Sequence, residues 1–278
     1  MVATGSSRKV WSLCPFAWER EVLELRLATM DPFVDVHVIV EGVLDYMGRP
    51  REPVFPTMDI PEKIRAKIRY SQTPMPHGTD PWAREGHLRR SLSQQLDGIA
   101  PHDIVILSDC DEIVSPTAMP SIEAALEHTG TVRLLMWMHL YHLGWRWVSQ
   151  EAGFQIARAA EWRTIERDHD GDIQEWRLIG SDGVVSLPAV PLAGWHLAYM
   201  GGPDMIRHKL QSHAHPEMAI PEHDDPEFIA DCIRTGHDLF KRTHRKCVAA
   251  EIHSAPPPIL DRLEALGSWS VLIDGGVQ

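Results

Sequence analysis

The sequence predicts an α/β fold in which a largely parallel sheet carries helices on both faces. Two observations lead to this prediction: strands alternate with helices through the first half of the chain, and one strand, at residues 103–108, is almost continuously apolar. A strand of that kind is covered on both faces, as the central strands of parallel sheets are. In such sheets ligands bind beyond the carboxyl ends of the strands.

The first two strands enclose a helix. Apolar runs predict strands at residues 9–13 and 34–40, and the helical spacing of apolar residues between them predicts an amphipathic helix over residues 19–30. The buried face of this helix would consist of Leu23, Leu27 and Met30.

Two aspartate–proline pairs predict helix starts, because the aspartate oxygen can cap free N–H groups and proline is preset for the first turn. Asp80 with Pro81 opens one helix, and Asp225 with Pro226 opens another that spans about residues 226–240. A further strand covers residues 132–138. The helix after Asp80 would bury a stripe formed by Leu88, Leu92 and Leu96.

Length and composition indicate one globular unit. The chain has 278 residues, of which 44% are hydrophobic and 24% charged, which suits one large domain or one domain with a small lobe. Ala255 and the three prolines after it set off residues 256–278, which we expect to form a peripheral helical tail. The formal charge of −12 argues against broad binding to nucleic acid or anionic membranes, which reward clustered Lys and Arg.

The compartment can be predicted from what the sequence does not contain. No run of about 18 apolar residues is present to span a bilayer, and the N-terminus has no apolar signal-peptide core. The four cysteines form no CxxC pair, so neither a zinc knuckle nor a disulfide framework is indicated. We therefore expect a cytoplasmic protein without a membrane span.

Three carboxylates follow the apolar strand directly: Asp109, Asp111 and Glu112. The strand delivers them to the sheet edge where ligands bind, and a divalent cation would relieve their mutual repulsion. Oxygen ligands suit Mn²⁺ or Mg²⁺, and such an ion can stabilise the charge that grows on a leaving diphosphate. The alternative is that Asp109 and Asp111 only cap a turn after the strand.

Several common catalytic motifs are missing. The sequence has no GxxxxGK[ST] loop, no GxGxxG fingerprint, no GxSxG elbow and no HExxH helix. The usual ATPase, dinucleotide-binding, serine-hydrolase and zinc-protease interpretations therefore lack support.

Ordered blocks of residues along the chain resemble a known family. The blocks are Phe16 and Glu19 with residues 23–27, Val34 and Asp35 with residues 38–41, then Gly48, Pro50 and Phe55, then Trp82, Glu85 and Arg89, and finally residues 106–113, 193–196, 209–210 and 233–236. They cover roughly residues 10–240, and through them the chain is similar to glycosyltransferase family 17, the family of the bisecting N-acetylglucosaminyltransferase. Because no counterpart of the animal enzymes' membrane anchor is present, we expect a bacterial or viral relative.

The resemblance implies a GT-A type fold and an inverting transfer of a sugar, such as N-acetylglucosamine, from a UDP-sugar to an acceptor hydroxyl. It implies a single catalytic domain over residues 1–255, with a nucleotide-sugar half at about 1–140 and an acceptor half at about 141–255. On this interpretation Asp111 binds the metal, and Asp109 contacts the ribose or the metal through water. His196 is a further metal ligand or a diphosphate contact; the alternative is a structural histidine.

Other residues receive roles on the same interpretation. Arg89 and Lys209 would neutralise the diphosphate, although Arg89 could instead only pair with Glu85 one turn earlier. Glu41, at a strand end, would touch the nucleotide or be an ordinary turn carboxylate. The inverting reaction needs a carboxylate base, for which Glu112 and Glu217 are the two candidates.

The acceptor and two rival functions stay open. Four aromatic residues could offer stacking faces to a sugar or lie in the core: Trp137, Tyr141, Trp145 and Trp147. A carbohydrate or glycoconjugate acceptor fits best, and a modified nucleic acid is also compatible. The rivals are a metal-dependent phosphoesterase that uses the same carboxylates with His213 and His215, and a catalytically silent sugar- or nucleotide-binding protein.

Overall fold

The computed structural model describes residues 8–78, 80–148, 157–180, 186–218, 220–242 and 246–249. The predicted tail, residues 256–278, lies outside the described residues. No helix within the described ranges is long and apolar enough to cross a membrane.

Strands and helices alternate along the chain, most regularly in its first half. The strands are β1 Val10–Phe16, β2 Val36–Gly42, β3 Ile68–Thr73, β4 Ile104–Leu107, β5 Glu112–Val114, β6 Thr131–Leu140, β7 Trp145–Val148, β8 Arg158–Glu161, β9 Ala189–Ala198 and β10 Lys246–Ala249. The helices are α1 Arg20–Met30, α2 Glu62–Arg65, α3 Pro81–Ser91, α4 Met119–Thr129, α5 Trp162–His169, α6 Ile173–Leu178, α7 Gly202–Ser212 and α8 Pro226–Thr235.

Both halves of the chain contribute strands to one sheet. Its order is β10-β7-β6-β8-β4-β1-β2-β3, and β9 joins the sheet beside β6 and β5. The α/β class is confirmed, and β3, β2, β1 and β4 are parallel as predicted. Beyond β4 the pairing is mixed: β8, β7 and β10 are antiparallel to their neighbours, whereas β9 runs parallel to β6. The short link from Leu140 to Trp145 explains the turn at β7, because a parallel crossover needs a dozen or more residues.

Helices cover both faces of the parallel half-sheet. Strand β4 illustrates this: Ile104 and Ile106 belong to the core beneath α1 and α4, whereas Val105 and Leu107 belong to the core beneath α3 and α6. All four side chains are at most 1% exposed, as the apolar strand at residues 103–108 predicts.

The two aspartate–proline helix starts are confirmed. The Asp80 carboxylate accepts a hydrogen bond from the Trp82 amide at 3.0 Å, and the Asp225 carboxylate accepts one from the Glu227 amide at 2.9 Å. Helix α8 ends at Thr235, earlier than predicted, because Gly236 adopts a left-handed conformation with φ of 72° and closes the helix.

A separate core holds the second half of the chain against the sheet. Helices α7 and α8 pack on the carboxyl ends of β6 and β9 through a cluster of apolar side chains that comprises Leu140, Tyr141, Ala198, Ile206, Leu210, Ile229 and Ile233. This packing places the α7 side chains beside the loop that follows β4.

Candidate active site

A cavity of about 1050 Å³ lies where the two halves of the sheet meet. Its wall contains Pro15 at the end of β1, Asp109 and Asp111 after β4, His196 on β9 and Lys209 on α7. The cavity therefore opens beyond the carboxyl ends of the parallel strands, where ligands bind in sheets of this class.

A buried arginine fixes the acidic loop after β4. Arg26 on α1 is 1% exposed, and its Nη1 atom donates to the carbonyl oxygens of Asp109 at 3.0 Å and Glu112 at 2.6 Å. Its Nη2 atom donates to the hydroxyl of Ser12 at 2.9 Å. Arg26 thus holds the loop by its backbone and leaves the aspartate side chains directed to other partners.

The Asp109 carboxylate lies between two guanidinium groups. The Nη2 atom of Arg89 on α3 is 3.0 Å from one carboxylate oxygen, and the Nη2 atom of Arg177 on α6 is 3.1 Å from the other. Burial by itself would raise the pKa of Asp109, but the two arginines outweigh it and lower the pKa to about 2. Arg89 also pairs with Glu85 at 3.0 Å, as the helical spacing predicts.

The Asp111 carboxylate is shared between a lysine and a histidine. Lys209 Nζ lies 2.8 Å from one Asp111 oxygen and 2.7 Å from a Glu19 oxygen, and His196 Nε2 lies 3.6 Å from the other Asp111 oxygen. Burial opposes these charges, but the ion pairs hold the pKa of Asp111 far below its usual range and raise the pKa of both Lys209 and His196. Asp111 is therefore an anion at neutral pH.

Strand pairing brings His196 to Asp111 from 85 residues further along the chain. β5 and β9 are antiparallel, with Glu112 opposite His196 and Val114 opposite Gly194. Their backbones come so close at Gly194 that a Cβ atom there would collide with the carbonyl oxygen of Ile113. Glycine at this position is a steric requirement for the register that places His196 in the cavity.

Three predicted site residues lie away from the cavity wall. Glu112 is 1% exposed, and its carboxylate accepts the Asp109 amide at 2.8 Å; burial first, and Asp109 second, raise its pKa to about 7. The Glu217 carboxylate is at the surface, 2.8 Å from Nδ1 of His215. Glu41 is buried and accepts hydrogen bonds from the Val54 amide at 2.7 Å and the Tyr70 hydroxyl at 2.9 Å, so it anchors a loop of the fold.

The aromatic candidates divide into two pairs. Trp137 and Trp147 line the cavity. Tyr141 is fully buried, and its hydroxyl donates to the His237 carbonyl at 2.6 Å. The Trp145 ring nitrogen donates to the Ile233 carbonyl at 2.7 Å. The second pair therefore supports α8 and the turn that ends it.

The predicted metal ligands form a partial site. Within the described ranges, no group of three or more His, Cys, Asp and Glu side chains could hold a metal ion. Both oxygens of Asp109 are engaged by arginines, whereas Asp111 and His196 each present one atom to the cavity, 3.6 Å apart. Two protein ligands fit a Mg²⁺ or Mn²⁺ ion that takes its remaining ligands from water and substrate phosphates, which is how such ions usually bind.

Sequence reasoning missed two residues of the site, Arg177 and Glu19. Arg177 lies on the short helix α6 and belongs to no local motif that would identify it. Glu19 directly precedes α1 and belongs to the first residue block of the family resemblance, but no site role was predicted for it. Arg26, which fixes the acidic loop, did carry a signal: it is a charged residue on the mostly apolar buried face of α1.

The parallel half-sheet and the charged side chains at its carboxyl edge define an α/β protein with a ligand site in the usual place for such sheets. The chain belongs to glycosyltransferase family 17, whose sequence model matches residues 3–254. The resemblance seen in the residue blocks is thereby confirmed, and the chain is a glycosyltransferase.

The solved structures that match this chain share little sequence with it. Residues 1–349 of TarS from S. aureus, in complex with UDP-GlcNAc, show 14% identity and a TM-score of 0.40, with 84% of this chain and 74% of that chain covered. A structure of 4-diphosphocytidyl-2C-methyl-D-erythritol synthase shows 14% identity and a TM-score of 0.40, with 68% and 90% covered. Comparison with curated proteins gave no match.

Proposed function

We propose that this glycosyltransferase moves a sugar from a UDP-sugar to an acceptor hydroxyl, with inversion at the anomeric carbon and with a divalent cation bound beside the diphosphate. The observation that supports this most directly is the convergence of Arg89, Arg177 and Lys209 on Asp109 and Asp111 at the wall of one cavity. The three cations come from three different helices, α3, α6 and α7.

The cations are arranged to receive a diphosphate. Arg89 and Arg177 are held by Asp109, so their positions are set before a ligand arrives and little side-chain entropy is lost on binding. Lys209 adds a third positive charge through its contact with Asp111. As the sugar leaves, these groups stabilise the charge that develops on the diphosphate.

Asp111 and His196 would hold the divalent ion, whose chemistry is to polarise the diphosphate and stabilise it as a leaving group. The oxygen of Asp111 that faces His196 is not the one that contacts Lys209. The lysine and the ion can therefore share this carboxylate. An ion held by two side chains binds weakly until the diphosphate supplies further oxygens.

The base for the acceptor hydroxyl must lie within hydrogen-bond reach of the reacting atoms. Among the described residues, four carboxylates line the cavity: Glu19, Glu85, Asp109 and Asp111. The lowered pKa values of both aspartates make them weak bases. Burial raises the pKa of Glu19, which suits proton uptake, and Glu19 is therefore the first candidate for the base. Glu85 is second, and Glu112 and Glu217 would have to act from outside the cavity wall.

Thermal unfolding tests the donor site. The full chain and Asp111→Asn are heated with Mn²⁺ alone, UDP alone, both together, and then with a panel of nucleotide sugars. We expect UDP and Mn²⁺ together to raise Tm more than the sum of their separate effects, since a ligand at about 100 times its Kd stabilises by about 2.7 kcal/mol. In Asp111→Asn, UDP and Mn²⁺ together should raise Tm by no more than the sum of their separate effects. A folded native chain that responds to no nucleotide would overturn the proposal and favour a phosphoesterase or a silent binding protein.

A further inference from the structure

The cavity has a second half whose chemistry differs from that of the charged donor site. Four aromatic side chains form this half and are called the aromatic wall: Trp137, Trp147, Tyr199 and Phe240. Trp137 lies on β6, Trp147 on β7, Tyr199 directly after β9 and Phe240 after α8. Two arginines lie against these rings. The Arg146 guanidinium is 4.6 Å from the Trp137 ring centroid, and that of Arg242 is 4.6 Å from the Phe240 ring centroid.

The aromatic wall is continuous with the proposed donor site. Lys209 Nζ, which contacts Asp111, lies 5.5 Å from the Tyr199 ring centroid. The Tyr199 and Phe240 rings are 5.9 Å apart, and Arg242 lies between Phe240 and Trp147, 5.4 Å from the latter ring. A molecule that lies along these rings therefore reaches the acidic loop, where the sugar would be transferred.

The two arginines differ in how their charge is balanced. Arg242 donates to both oxygens of Asp238, at 2.7 Å each. Within the part of the chain that the structure describes, no carboxylate pairs with Arg146, although the chain as a whole carries a charge of −12. The contact with the Trp137 ring holds the Arg146 guanidinium in place, and a guanidinium can form a bidentate contact with an acidic group through its N–H groups.

We infer that the acceptor is an acidic glycan, bound with a sugar ring on the aromatic wall and a carboxylate or phosphate on Arg146. This inference rests on the proposed transfer reaction. Aromatic faces suit the apolar faces of sugar rings, and a guanidinium that pairs with no carboxylate among the described residues suits an acidic group. A nucleic acid is less well matched, because its repeated phosphates call for a cluster of cations.

Calorimetry on the full chain, saturated with UDP and Mn²⁺, tests the inference with two matched pairs of ligands. Hyaluronan tetrasaccharide is compared with its carboxyl-reduced form, and trehalose 6-phosphate with trehalose, so the two pairs distinguish carboxylate from phosphate. We expect the acidic member of at least one pair to bind about tenfold more tightly. Arg146→Gln should remove that preference, Arg146→Lys should retain part of it, and Arg207→Gln, which changes an exposed arginine outside the cavity, should leave it unchanged.

The outcomes separate this inference from the donor proposal. Equal binding within both pairs, binding of none of the four ligands, or an unchanged preference in Arg146→Gln would overturn the acidic acceptor even if UDP binds normally. Tighter binding of a thymidine octanucleotide than of any glycan would overturn it in favour of a nucleic-acid acceptor. A chain that fails to bind UDP but prefers the acidic ligands would reject the donor site and support the inference about Arg146.

Discussion

Glu19 and Lys209 form an ion pair across 190 residues of sequence, and the pair contributes to the charge balance of the acidic loop. Lys209 lies between Glu19 and Asp111, so one ammonium group contacts two carboxylates. Asp111 carries the lower pKa and remains the anion, whereas burial favours the neutral form of Glu19. The structure thus gives two neighbouring carboxylates different protonation behaviour, as an acid–base site requires.

We predict that Glu19→Gln lowers kcat by a factor of about 10² to 10⁴, the usual contribution of a general base, while UDP binds as in the native chain. Steady-state kinetics with the donor that stabilises the chain most, together with UDP titrations, provide the measurement. The pH profile supplies a second readout: loss of the base should remove the decline of kcat toward acid pH.

Glu85→Gln is the matched comparison, because Glu85 is a second glutamate of the cavity wall. If it loses more activity than Glu19→Gln, the base assignment moves to Glu85. If Glu112→Gln alone abolishes turnover, the base acts from outside the wall.

At the scale of the element, β5 and β9 are the pair on which the site depends. β5 has three residues, yet it joins the acidic loop to the strand that carries His196. The close approach at Gly194 permits this pairing.

We predict that Gly194→Ala destabilises the chain by more than about 2 kcal/mol, since two packed backbones would have to separate, and that it weakens the joint effect of UDP and Mn²⁺ on Tm. Denaturant unfolding and the thermal assay provide the measurements. Gly86→Ala is the control: a Cβ atom in the middle of α3 would meet its neighbours at an ordinary 3.5 Å, and alanine should stabilise the helix by about 0.5–1 kcal/mol. If Gly194→Ala leaves the free energy of unfolding unchanged, β5 and β9 can pair without this close approach.

The elements that sequence reasoning predicts well are those with a local physical cause. The helix start at Asp80 follows from one capping side chain, and the β4 strand follows from a run of apolar residues. The mixed pairing beyond β4 depends instead on contacts between distant segments. Arg177 reaches Asp109 only because α6 packs beside α3, through Asp172 and Arg90 among other contacts. Such placement has no local pattern to reveal it.

At the scale of the whole molecule, one sheet joins a parallel half that carries the acidic loop to a mixed half that carries the aromatic wall. The cavity lies between the two, so its integrity depends on the fold of both. Global stability is therefore a condition for activity, and buried ionisable groups make that stability depend on pH.

The free energy of unfolding should fall when the pH is lowered from 7 to 5, in part because of His37. This residue on β2 is 1% exposed, and burial, with Arg26 as the second cause, lowers its pKa to about 3. A folded pKa below the unfolded value of 6.5 means that the stability is present above pH 6.5 and is lost as the pH falls toward 3. One pKa unit corresponds to 1.36 kcal/mol. The titration of His37 should therefore lower the free energy of unfolding by about 2 kcal/mol between pH 7 and pH 5.

Urea unfolding of the native chain and of His37→Gln at pH 7 and pH 5 measures this cost. The variant should be less sensitive to the same pH change by about 2 kcal/mol, because glutamine does not titrate. His102→Gln changes an exposed histidine and should retain the native pH dependence. Burial lowers the pKa of His139 to about 4, so this residue should also lower the free energy of unfolding as the pH falls. The raised pKa of His196 has the opposite effect on the free energy of unfolding. An unchanged pH dependence in His37→Gln would mean that His37 gains access to water or an acidic partner before the chain unfolds.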